Sequence, residues 1–114
     1  MNKIEAIIRP EKLTDVKDAL AAIGVVGMNS ENVMGRGRQK GVVVHEGRGS
    51  NPVTIDMLPK VRVNVVVSDA DTEKVCQTII DAARTGEIGD GKVFIIPVSQ
   101  VIRVRTGEQG DEAI

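Results

Sequence analysis

Tyrosine and tryptophan are absent from this chain, and Phe94 is its one aromatic residue. A core must therefore be assembled from Val, Ile, Leu, Met and Ala, and no tyrosyl hydroxyl exists to be modified. Sequence-tolerant binding of single-stranded nucleic acid uses aromatic platforms on which bases stack, so that class is disfavoured. Charge does not favour it either: 15 Lys and Arg stand against 16 Asp and Glu, and no surplus field draws a nucleic acid or an anionic membrane. A single cysteine, Cys76, excludes an internal disulfide and suits a reducing compartment. No apolar run approaches the ~18 residues of a membrane span. The start, Met1-Asn2-Lys3-Ile4-Glu5, does not read as a signal peptide, so the cytoplasm is the expected location.

What is present suits one domain over residues 1–114, with 41% hydrophobic and 27% charged residues. The chain reads as two similar halves. Lys3 to Arg9 alternates as a strand, with Ile4, Ala6 and Ile8 on one face. Pro10 can open a helix because its missing N–H is not needed in the first turn; Leu13, Val16, Leu20 and Ile23 follow at helical spacing, and Gly24 ends the run. In the second half, Lys60 to Val67 is a strand with Val61, Val63 and Val65 on one face. Ser68-Asp69-Ala70-Asp71 resembles a helix cap, and Val75, Cys76, Ile79, Ile80 and Ala83 form an apolar stripe closed by Gly86. Cys76 reads as a small core residue of that stripe. Further strands are expected at about Asn29–Met34 and Val93–Pro97, with a short alternating segment at Val101–Arg105. The order β-α-β-loop-β-α-β predicts an α+β, ferredoxin-like βαββαβ fold. Its helix-free sheet face is expected to pack on other subunits.

Between the second and third strands lies a long loop, about residues 36–57, with no convincing core pattern. It opens with Gly35-Arg36-Gly37-Arg38-Gln39-Lys40-Gly41 and ends at Leu58-Pro59-Lys60. Loops beyond ~12–15 residues are uncommon in compact domains unless functional or disordered. Its cations and glycines suit an anion, and the Gln39 carbonyl is the kind of oxygen that ligates magnesium. His45 has no carboxylate or cysteine at ligand spacing and reads as an exposed loop residue. A second anion candidate is the turn at about 85–92, where Gly89 and Gly91 permit converging N–H groups and Lys92 adds charge. A plain helix-to-strand turn is the competing reading. Arg103 and Arg105, two apart on an expected strand, form a third: either a phosphate clamp or a charged, solvated edge. No nucleophile–base pair is visible, which favours binding a nucleotide over turning one over.

Lys3-Ile4-Glu5-Ala6-Ile7-Ile8-Arg9-Pro10, Gly37-Arg38-Gln39-Lys40-Gly41, Leu58-Pro59-Lys60, Thr85-Gly86-Glu87-Ile88-Gly89-Asp90-Gly91-Lys92-Val93-Phe94 and Val104-Arg105-Thr106-Gly107-Glu108 resemble the PII family of nitrogen signal-transduction proteins. The resemblance covers essentially the whole chain, including the C-terminal segment 101–114. It implies a homotrimer with a cleft between each pair of neighbours, binding ATP or ADP and, with Mg2+ and ATP, 2-oxoglutarate. By motif, Gly37, Arg38, Val66, Gly89, Asp90, Gly91 and Lys92 would bind nucleotide, with Arg103 and Arg105 reaching in from the neighbouring subunit. Gln39 would hold the metal and touch 2-oxoglutarate, together with Lys60, Arg9 and Gly41. Such a protein is a regulator and not an enzyme, slow incidental ATP hydrolysis aside. Its loop would act on an ammonium transporter, so that contact with a membrane is indirect, or on a nitrogenase-related protein.

The loop departs from that pattern. It is longer than usual and lacks the Tyr-Arg-Gly-Ala-Glu-Tyr block; Arg48 is the expected partner contact at its tip, and Ser50 a weak candidate for modification. Asn29 stands where relatives carry threonine and Asn64 where they carry glutamate, which bears on ATP/ADP preference.

Overall fold

The computed structural model describes residues 1–36 and 57–114 and, as backbone, two short strands at 42–45 and 52–55. The elements in chain order are β1 (Asn2–Ile8), α1 (Leu13–Ala22), β2 (Asn29–Gly35), β3 (Val42–His45), β4 (Pro52–Ile55), β5 (Leu58–Val67), α2 (Thr72–Ala83) and β6 (Lys92–Pro97). The main sheet runs β2-β5-β1-β6, with every neighbouring pair antiparallel, and this is the ferredoxin-like order.

Period-two alternation decides which face of the sheet is buried. Ile4, Ala6 and Ile8 of β1 and Val61, Val63, Val65 and Val67 of β5 point the same way, and the β1–β5 register sets them side by side. Val16 and Leu20 of α1 and Val75, Cys76, Ile79 and Ala83 of α2 close over them. Each large apolar side chain so enclosed stabilises the fold by about 1.5–3 kcal/mol relative to exposure. Burial also pushes the Cys76 thiol up from its usual range, as befits a small core residue and not a nucleophile.

Both helices start through a 3-10 turn, Pro10–Lys12 before α1 and Asp69–Asp71 before α2. The expected serine cap works differently from a capping box. The Ser68 hydroxyl donates to the Asp71 carboxylate at 3.2 Å, while its carbonyl accepts from the Asp71 N–H and the Thr72 hydroxyl. Gly24, at φ +86°, ends the first helical segment as expected.

Three expectations need correction. The interval 36–57 is not all loop, because β3 and β4 pair antiparallel within it, from Val42 opposite Ile55 to His45 opposite Pro52. Val42-Val43-Val44 and Val53-Thr54-Ile55 are β-branched runs, which favour extended backbone, so His45 stands on a strand. Val101–Arg105 is not a strand: only Ile102 forms a bridge, to Gln109, and residues 104–106 turn back. The helix-free face is mixed and not strongly apolar on its inner strands. Glu5, Glu31 and Arg62 make ion pairs there, and the exposed apolar residues are Phe94 and Ile96 on edge strand β6.

Candidate functional site

The turn between α2 and β6 is built around one carboxylate. After Arg84 leaves helical geometry, Asp90 folds back on the start of its own turn. Its Oδ2 accepts from the Thr85 N–H at 2.9 Å and the Gly86 N–H at 2.8 Å; its Oδ1 accepts from the Thr85 hydroxyl and from Arg9 Nε at 3.0 Å. The Thr85 hydroxyl above all, then the two backbone N–H groups and Arg9, hold the Asp90 carboxyl well below the usual carboxylate range against the opposing effect of burial.

Glycine is required where the turn meets the sheet. Gly91 has φ +94°, and a Cβ there would lie 1.7 Å from the Ile7 carbonyl oxygen of β1. Gly86 and Gly89 also adopt positive φ, +91° and +107°.

Two cations from the sheet grip the same turn. Because Ile8 pairs with Val61, the next positions outward are Arg9 and Lys60. Arg9 Nη2 donates to the Ile88 carbonyl at 2.9 Å, and Lys60 Nζ to the Gly89 carbonyl at 2.9 Å. Burial, followed by the nearby Arg9 charge, lowers the Lys60 ammonium from its ordinary value. Lys92, exposed at the start of β6, adds a third cation, opposite Ile7. β2 ends at Gly35 against the Lys60 stem, at this same corner. The corner thus brings Arg9, Lys60 and Lys92 around a glycine-bearing turn whose Asp90 carboxylate is held inward, with Glu11 also near Lys60, and the chemistry it suits is the binding of anions.

A second cluster occupies the other end of β5. A groove of about 880 Å³ is lined by Lys3, Asn29, Asn64, Val66 and Ser68, with the C-terminal Ile114 at its rim. The register sets Asn29 opposite Asn64, and the Asn64 amide donates to Asn29 Oδ1 at 3.0 Å. Asn64 is only 8% exposed. The C-terminal segment borders this groove through Val101, Asp111 and Ala113. Within it Arg103 donates to Glu108 Oε1 and to the Glu112 carbonyl, each at 3.1 Å, while Arg105 is exposed in the turn.

The structure thus gathers Arg9, Lys60, Gly89, Asp90, Gly91 and Lys92 at one corner and Val66 with the Arg103 segment at another. Lys60 and Val66 are six positions apart on β5, roughly 20 Å at ~3.3 Å per residue. Gly37, Arg38, Gln39, Gly41, Arg48 and Ser50 lie outside the described residues, and among the described residues no group of three His, Cys, Asp or Glu side chains is arranged to hold a metal ion. Sequence reasoning included Thr85 in the turn but gave its hydroxyl no role; a hydroxyl five residues before an aspartate in a glycine-rich turn was the available signal. The Asn29–Asn64 bond was legible only as two separate departures, since their contact comes from register.

The family described as "Nitrogen regulatory protein P-II" matches residues 1–108. A Nostoc punctiforme nitrogen regulatory protein P-II is 55% identical over 114 residues, covering all of both chains. Nitrogen regulatory protein P-II 2 of Methanothermobacter thermautotrophicus is 50% identical over 114 residues, covering all of this chain and 97% of that one. The crystal structure of Arabidopsis thaliana PII bound to citrate superposes with a TM-score of 0.80 at 43% identity, covering 99% of this chain and 91% of the other.

Proposed function

The chain belongs to the PII family of nitrogen regulatory signal-transduction proteins, and from that premise we propose that it reads nitrogen status by binding ATP or ADP, with 2-oxoglutarate joining Mg-ATP. The observation that carries this reading is the corner where Arg9, Lys60 and Lys92 surround a turn held open by Gly89 and Gly91. Phosphates would lie along the turn beside Lys92, and the carboxylates of 2-oxoglutarate would take Arg9 and Lys60. Citrate in the Arabidopsis relative is likewise a small polycarboxylate. Gly37, Arg38, Gln39 and Gly41 complete the site in this reading, with Gln39 as the magnesium ligand.

Adenine would sit against Val66, between Asn29 and the C-terminal segment, with Arg103 and Arg105 turned to the phosphates. As the family resemblance implies, the reading takes the Gly89–Lys92 corner from one copy and Arg103 and Arg105 from its neighbour, in a homotrimer. The protein is a regulator, in keeping with the names of its relatives, and acts on its partner through residues 36–57. An ammonium transporter, met by Arg48 from the cytoplasmic side, is the preferred partner. The missing tyrosine block favours a nitrogenase component as the second reading, and copurification with one or the other decides between them.

Titration calorimetry tests the ligand reading. ATP and ADP are expected to bind competitively, and 2-oxoglutarate only with Mg-ATP; binding of no adenine nucleotide refutes the proposal. Arg103→Ala is expected to weaken ATP at least tenfold while the protein stays folded, as a cooperative melting transition would show. Unaltered affinity would remove Arg103 from the site.

A further inference from the structure

Asp90 has no capacity left for a ligand. Two carboxylate oxygens offer about four acceptor positions, and the Thr85 N–H, the Gly86 N–H, the Thr85 hydroxyl and Arg9 Nε occupy four. As an anion it would also repel a phosphate. Its place in a phosphate-binding turn must therefore be explained by what it holds.

The cations beside it are engaged as well. Arg9 holds the Ile88 carbonyl and Lys60 holds the Gly89 carbonyl. In a trans peptide, the C=O of one residue and the N–H of the next point in opposite directions. The N–H groups of Gly89 and Asp90 consequently face away from Arg9 and Lys60, toward the side from which a phosphate would approach. Because Gly89 has no Cβ, these two peptide planes can rotate if their carbonyls are released.

We propose that Asp90 is a positioning residue that couples the two ligands of this site: it ties Arg9 to the turn, so that a dicarboxylate drawing on Arg9 and Lys60 re-aims the Gly89 and Asp90 N–H groups at the nucleotide phosphates. This rests on the nucleotide and 2-oxoglutarate reading above. Effector and nucleotide then communicate through the Ile88–Asp90 backbone, in addition to any contact between the two ligands.

Asp90→Asn isolates the link. An asparagine can turn its oxygen to the Thr85 and Gly86 N–H groups and its amide to the Thr85 hydroxyl, but that amide cannot accept from Arg9. Calorimetry with ATP and magnesium, with and without 2-oxoglutarate, is run on both proteins, with melting temperatures as the folding check. In the wild type, 2-oxoglutarate is expected to tighten ATP by about fivefold or more, the low end of ordinary coupling. In Asp90→Asn that factor should fall to near one. A variant with the wild-type factor overturns the inference, whatever its affinity for ATP alone. A second readout needs no variant: the Asp90 carboxyl carbon resonance of the ATP-bound wild type should shift when 2-oxoglutarate is added, and an unmoved resonance overturns the inference. A wild type that binds no ATP overturns the proposed function and the inference with it, whereas a coupled wild type with an equally coupled Asp90→Asn overturns the inference alone.

Discussion

At the scale of single residues, Gly91 and Asp90 impose the sharpest constraints. Gly91→Ala sets a methyl group against the Ile7 carbonyl at an unfavourable φ, so β1 or the turn must shift. Strain of this kind costs about 1–3 kcal/mol, and denaturant titration should show at least that loss, together with weakened nucleotide binding. Asp90 governs the response to acid. Its folded pKa lies below the ordinary aspartate value of about 3.9, so between the two values the unfolded chain binds a proton that the native state does not. The stability it contributes is complete above pH ~4 and is lost as pH falls through the depressed value. Asp90→Asn should therefore show a shallower fall of stability below pH 4 in urea titrations at stepped pH. The glycines of this turn were legible in the sequence, because few other residues fit successive positive φ. The inward role of Asp90 was not, since a loop aspartate gives no sign of whether its oxygens face a ligand or their own backbone.

Among the elements, α1, α2 and the β1–β5 pair carry the core, and all were readable from periodicity. Ile4, Ala6 and Ile8, Val61, Val63 and Val65, and the spacing of Val16 and Leu20 all fall on the faces that the pattern assigns. Leu20→Ala, at a fully buried position between helix and sheet, should cost about 2–5 kcal/mol in chemical denaturation. Weaker signals failed for identifiable reasons. Val101–Arg105 alternates, yet Arg103 is drawn to Glu108 and Glu112, and the chain turns at 104–106 with Gly107 at φ +74°. The β3–β4 ribbon went unread because its two short runs are flanked by glycine and charge, which look like loop, although their β-branched residues favour strand.

For the whole molecule, the proposed trimer has to cover the apolar side chains that one copy leaves exposed. The described surface carries exposed Phe94 (45%) and Ile96 (40%) on edge strand β6, along with Ile102 and Val104 in the C-terminal segment. In the trimer reading these side chains are covered by neighbours. Phe94→Ser with Ile96→Asp should then reduce the mass measured by light scattering to that of a monomer and abolish nucleotide binding with it. Neither the contacts between copies nor the identity of the partner is legible here, because a single chain records which surfaces are apolar and not what covers them.

The central claim is that one effector is held jointly by the Gly89–Lys92 corner of one copy and the Arg103 corner of another, and complementation between variants tests it most directly. Lys92→Ala and Arg103→Ala, each weakened in ATP binding alone, are coexpressed with different tags, and the mixed oligomers are isolated and titrated with ATP. In any trimer that mixes the two variants, about one cleft in three pairs an intact Lys92 with an intact Arg103. ATP binding of wild-type affinity is expected to reappear at roughly that stoichiometry in the mixed oligomers. Mixed oligomers that bind ATP no better than either variant alone would contradict it.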